Sequence, residues 1–114
     1  MIKFSVMYPY IEGGWFDAKY YCQSHIAPYR QDPLVKGIVV ESGNSSRDFK
    51  NPPRYLCIAH FFYESIDDLY ASRNPERTAR QMKDNIHFTN VTAETLVSSL
   101  PYLNIANLTM LEQE

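Results

Sequence analysis

Ile2, Phe4, Val6 and Tyr8 alternate with Lys3, Ser5 and Met7, the period of a strand with one buried face. Pro9 to Gly14 reads as a loop, with Gly13-Gly14 leaving the backbone unrestricted before Trp15. A helix is then predicted from about Asp17 to about Tyr29. Asp17 suits its N-cap, Tyr21 and His25 share one face, and Pro28 kinks or ends it just past His25. Lys36 to Glu41 is a short β-branched strand. Residues 42–54, polar and punctuated by Gly43, Pro52 and Pro53, form the longest loop, a candidate lid. Tyr55 to Tyr63 is the strongest strand signal. Tyr55, Cys57, Ala59, Phe61 and Tyr63 take one face and Leu56, Ile58, His60 and Phe62 the other, so apolar residues lie on both. Ser65 caps a second helix, with Asp68 at the capping-box position and Ile66, Leu69 and Tyr70 as its buried stripe. Asn74-Pro75-Glu76 stops that helix and opens another, along which Ala79, Met82 and Ile86 keep helical spacing. Glu94 to Leu100 reads as a last strand ended by Pro101.

The order β-α-β-β-α-β, with the second helical region in two pieces, predicts a ferredoxin-like α+β fold. One domain over residues 1–101 and a C-terminal tail over 102–114 account for the chain. In this fold the helices cover one face of an antiparallel sheet. The second apolar face of Tyr55–Tyr63 then calls for a partner, and a second copy of the same sheet is the simplest one. A homodimer is therefore expected.

Composition narrows the function classes. The net charge is −2 and the basic residues are scattered, so no nucleic acid is expected as partner. No apolar run approaches the roughly 20 residues of a membrane span, and the N-terminus lacks the apolar block of a signal peptide. The expectation is a cytoplasmic protein with no membrane partner. Cys22 and Cys57 fall in predicted elements and read as reduced, buried thiols, with a bridge between them left open.

His25, near a helix end where the dipole favours imidazolium, is the first candidate for acid/base chemistry, with Tyr21 and Tyr20 placed to orient it or to donate to an oxyanion. His60 is a second candidate imidazole, set against the plainer reading of a buried histidine bonded to its neighbours. The three histidines share no turn, so no metal is expected. The four glycines form no dinucleotide or phosphate fingerprint, so no cofactor is expected. Trp15, Tyr20, Phe62 and Phe88 would suit a cavity for a small hydrophobic molecule, with Thr89 and Asn90 adding polar contacts.

Phe16-Asp17, Tyr20-Tyr21, His25 and Pro28, then His60-Phe61-Phe62-Tyr63-Glu64-Ser65 and Phe88-Thr89-Asn90, together resemble the EthD family within the dimeric α+β barrel superfamily. The resemblance covers roughly residues 1 to 100. It implies a homodimeric barrel with a cavity in each protomer between helices and sheet. It also implies an association with breakdown of ethers and other xenobiotics, under oxidoreductase labels. Superfamily relatives include cofactor-free monooxygenases, dehydratases, isomerases and haem-degrading proteins, so the fold alone leaves the reaction open. Where the family commonly carries Asn-Tyr-Thr-Asp, this chain has His87-Phe88-Thr89-Asn90, and a carboxylate that could orient the pocket histidine is lost. The expected function is a cofactor-independent catabolic enzyme with His25 as acid/base, assisted by Tyr21 and His60. The alternative is a non-catalytic homodimer that binds such a ligand for a partner oxygenase.

Overall fold

The computed structural model describes residues 1–106. Four strands, β1 (Ile2–Pro9), β2 (Gly37–Ser42), β3 (Tyr55–Tyr63) and β4 (Glu94–Ser99), form one antiparallel sheet in the order β2-β3-β1-β4. Between β1 and β2 lie α1 (Ala18–Tyr20), a π turn (Tyr21–His25) and α2 (Ala27–Arg30). Between β3 and β4 lie α3 (Ile66–Ser72), α4 (Pro75–Asp84) and a 3-10 turn (Asn85–His87). This is the ferredoxin-like α+β arrangement that the hydrophobic pattern predicts.

Pairing fixes which residues share a face, because side chains alternate along a strand. Ile2, Phe4, Val6 and Tyr8 stand opposite Tyr63, Phe61, Ala59 and Cys57, and this set points toward the helices. Cys57, Ala59, Phe61 and Tyr63 are fully buried there, joined by Tyr8, Tyr21, Ile26, Tyr29, Leu69 and Phe88. Lys3, Ser5 and Met7 stand opposite Phe62, His60 and Ile58 on the other face. None of the described helices covers that face, and Val39 and Leu96 are exposed on it.

The helical segment after Trp15 differs from the single helix predicted. Asp17 is its N-cap, its carboxylate accepting from the Tyr20 N–H at 3.0 Å. Pro28 cannot donate to the Ser24 carbonyl, and its ring crowds that oxygen. The regular ladder therefore breaks, and the Ile26 N–H reaches back to the Tyr21 carbonyl at 3.1 Å, a π-type bond.

Ser65 caps α3 by accepting from the Asp68 N–H, and Asn74 caps α4 by accepting from the Arg77 N–H, with Pro75 in the first turn. The predicted apolar stripes of these helices are corrected. Only Leu69 of the α3 stripe is buried; Ile66 and Tyr70 are exposed. In the next helical segment Ala79 is exposed, and Met82 and Ile86 are 65% and 74% exposed. The reason is that Thr78, Gln81, Met82 and Asn85 share a helix face that overhangs an open cavity rather than the packed core. Polar anchors hold α4 instead. Arg77 pairs with Asp32 at 2.6 Å, and Asp32 also accepts from the Ser72 hydroxyl at 2.7 Å.

The loop after β2 closes on itself. The Asp48 carboxylate accepts from the Ser46 hydroxyl and from the Lys50 and Asn51 N–H groups, which holds its carboxyl well below the usual range. None of its residues lines the cavity beside His25, so the lid expectation is not met. Cys57 is buried and its thiol is pushed up to about 12 by desolvation; Cys22 is only half-buried, and no disulfide joins the two. Among the described residues no helix is long and apolar enough to cross a membrane. Of the predicted tail, residues 102–106 are exposed and 107–114 lie outside the described residues.

Candidate functional site

A cavity of about 540 Å³ lies between the helix-facing side of the sheet and the segment that runs from α4 to β4. His25, Tyr21, Tyr8 and Tyr29 line its inner part, and Met82 and Ile86 its exposed rim. The π turn sets His25 against the Tyr21 ring at a centroid distance of 5.0 Å. Phe88, fully buried, packs against both rings, 4.4 Å from the imidazole and 5.0 Å from the Tyr21 ring.

His25 Nδ1 lies 2.8 Å from Asp84 Oδ2. An ionised carboxylate only accepts, so Nδ1 carries the proton and donates. Nε2 is then the atom with a lone pair for proton exchange. The second oxygen of Asp84 accepts from the Tyr20 hydroxyl at 2.7 Å, which fixes the carboxylate in turn and raises the Tyr20 phenol. Burial would raise the Asp84 carboxyl, but the hydrogen bonds from His25 and Tyr20 outweigh it and hold it below its ordinary value. For His25 burial dominates: desolvation lowers it below 6.5 although Asp84 pulls the other way. The expectation that the helix end favours imidazolium is thereby corrected, because loss of water outweighs a dipole broken at the π turn. At neutral pH the ring is a neutral base. The Tyr8 and Tyr21 rings meet edge-on at 5.9 Å, and burial raises both phenols, so they stay protonated.

The structure thus brings His25, Tyr21, Tyr20, Phe88, Thr89 and Asn90 together, in unequal roles. Thr89 and Asn90 line the cavity but also clamp the loop before the first helix. The Thr89 hydroxyl donates to the Trp15 carbonyl at 2.7 Å, and Asn90 Oδ1 accepts from the Trp15 N–H at 3.0 Å. Asn90 Nδ2 donates to the Gly13 carbonyl, and Gly13 makes the turn at φ 80°, which a side chain would resist. Trp15 contributes this backbone, while its ring is half-exposed and lines no part of the cavity. Tyr20 and Phe88 stand behind His25 rather than in the chamber.

His60 and Phe62 do not join the site. They occupy the opposite face of β3, with the sheet between them and His25. His60 Nε2 donates to Glu41 Oε2 at 2.7 Å, and its Nδ1 meets the buried Ser5 hydroxyl at 2.9 Å. Its environment is that of a histidine satisfied by neighbouring side chains.

Sequence reasoning missed Asp84, Tyr8, Arg73 and Gln81. The carboxylate thought lost at position 90 is supplied from the C-terminal residue of α4. The one linear hint was an acid where the helix dipole disfavours it, a placement that asks for a compensating donor. Arg73 and Gln81 project into the same cavity from α3's C-cap and from α4.

Residues 16–92 match the EthD domain, about two thirds of the sequence. An EthD-like protein of Ralstonia eutropha JMP134 is similar at 27% identity and TM-score 0.82, over 91% of this chain and 95% of that one. An ethyl tert-butyl ether d (EthD) family protein of Bacillus halodurans C-125 is similar at 16% identity and TM-score 0.66, over 87% and 97%. The same fold recurs in an antibiotic biosynthesis monooxygenase at 10% identity and TM-score 0.54, over 87% and 97%. No curated protein matches the sequence. The domain match spans the π turn, His25, α4 and Asp84, and the chain belongs to the EthD family.

Proposed function

We propose that the protein is a catabolic enzyme for a small hydrophobic molecule, in which His25 acts as general acid/base without a bound cofactor. The observation that carries this reading is the 2.8 Å bond between His25 Nδ1 and Asp84 at the wall of the 540 Å³ cavity. A carboxylate on Nδ1 fixes the tautomer and stabilises the imidazolium that forms when Nε2 takes a proton. The reaction class is proton abstraction from a weakly acidic C–H or O–H of the ligand and its return at another atom. The Tyr21 and Tyr8 phenols, kept protonated by burial, are suited to donate to the oxygen on which charge develops. The mostly aromatic walls favour a ring-bearing or otherwise apolar substrate, and the ether and xenobiotic associations of the family suggest its source.

The working unit in this reading is a homodimer closed through the uncovered sheet face, where exposed Val39 and Leu96 need cover. The decisive experiment is turnover of a panel of ethers, phenols and enolisable ketones by wild type and His25→Ala. The expected result is a loss of about 100-fold or more in kcat with ligand binding retained. No turnover by either protein, with binding intact in both, would instead make it a ligand carrier for a partner oxygenase.

A further inference from the structure

The same chamber contains a cation that no described residue neutralises. Arg73 sits in the turn between α3 and α4, and its guanidinium carbon lies 4.2 Å from the Phe4 ring centre and 4.3 Å from those of Tyr29 and Phe61. Its Nη1 makes one long bond, 3.4 Å, to the Tyr29 hydroxyl. Nε and Nη2 are buried and bond to nothing among the described residues, and no carboxylate pairs with the group. The acids nearby are committed elsewhere, Asp32 to Arg77 and Ser72, Asp84 to His25 and Tyr20. Arginine offers five donors in a planar fork, and a buried cation with idle donors is costly unless a partner arrives. Ring stacking supplies part of the compensation but fills no donor. The buried Gln81 Oε1, on the same cavity, likewise has no partner among the described residues.

We infer that the ligand of this cavity carries an acidic oxygen, a carboxylate or an ionised phenol or enol, that binds the Arg73 guanidinium. This rests on the cavity being the substrate site proposed above and names the substrate class. Arg73 and His25 line one cavity, and the arginine's charge reaches His25, Tyr8 and Tyr21, disfavouring the protonated form of each. A neutral base and a fixed cation in one low-dielectric chamber suit an anionic substrate, or an oxyanion created when Nε2 removes a proton. The idle nitrogens expose no surface to the chamber as they stand. Contact therefore needs a small rotation of the guanidinium or of Gln81, which both long side chains allow.

Three probes of similar ring size test this at neutral pH: benzoate, benzamide and 4-nitrophenol. Calorimetry is expected to show benzoate binding wild type about tenfold or more tightly than benzamide, the ratio of a charge-assisted to a neutral contact. The visible absorbance of 4-nitrophenol reports whether it binds as phenolate. A preference for benzoate alone points to a carboxylate substrate, and selective binding of the phenolate alone to an oxyanion made in the site; either supports the inference. Arg73→Met should abolish the preference, weakening benzoate binding far more than benzamide binding. Should that variant fail to fold, Arg73→Lys, which keeps a charge but not the fork, should reduce it. The inference is overturned if neither anion binds wild type more tightly than benzamide, or if the preference survives in Arg73→Met. An anion preference with no turnover by wild type or His25→Ala keeps the Arg73 site and removes the catalytic reading. Turnover lost in His25→Ala with no anion preference does the reverse.

Discussion

At the scale of single residues the site turns on one imidazole and the carboxylate behind it. His25 is lowered by burial, so it is neutral at pH 7, and kcat/KM should rise with pH along an acid limb whose midpoint lies below 6.5. The same shift makes a stability prediction. The folded state binds the His25 proton less tightly than the unfolded state does, so this contribution is fully present above pH 6.5 and is lost as pH falls below it. Asp84→Asn removes the partner that opposes desolvation. The acid limb should move to lower pH and kcat should fall by about 10-fold to 100-fold, the range seen when a carboxylate behind a working histidine is removed. Imidazole NMR titration measures the first and steady-state kinetics the second. An unchanged titration in Asp84→Asn would show that Asp84 does not position His25.

At the scale of elements, Pro28 and the α3–α4 junction do the shaping. Pro28 denies the Ser24 carbonyl its donor, and the resulting π turn sets Tyr21 and His25 side by side at the chamber wall. The α4 helix has no buried residue, so its position depends on its cap, on the Arg77–Asp32 pair and on the contacts of Asp84. Asn74→Ala should therefore cost about 1 kcal/mol in chemical denaturation. Because α4 carries Asp84, the same variant should weaken activity more than a cap on an unrelated helix would. The stripe of Met82 and Ile86 illustrates why helical spacing was readable but its direction was not. The period says that residues share a face, while only packing says whether that face meets core or cavity.

At the scale of the whole molecule, the sheet has one face packed by helices and one uncovered. Val39 and Leu96 are 44% and 52% exposed on the uncovered face, beside half-buried Met7, Ile58 and Phe62. A dimer through this face should form at micromolar concentration in analytical ultracentrifugation, and Leu96→Lys should shift it to monomer by placing a charge in a dry contact. A wild-type monomer would remove the proposed barrel. Ser5, His60 and Glu41 lie on this face, so their hydrogen bonds would be enclosed by the partner rather than by a substrate.

The element order, the strand faces, the caps at Asp17, Ser65 and Asn74, and the pairing of Tyr21 with His25 were determined by the sequence itself. Each depends on spacings of a few residues that backbone geometry converts directly into structure. Which face of β3 looks into the cavity was decided only by tertiary structure, and it removed His60 and Phe62 from the site. The carboxylate on His25 comes from a residue 59 positions away, and the uncompensated Arg73 becomes visible only when every acid around it has been assigned a partner. Partnership across the fold depends on how layers stack, and no local pattern in the chain encodes that distance.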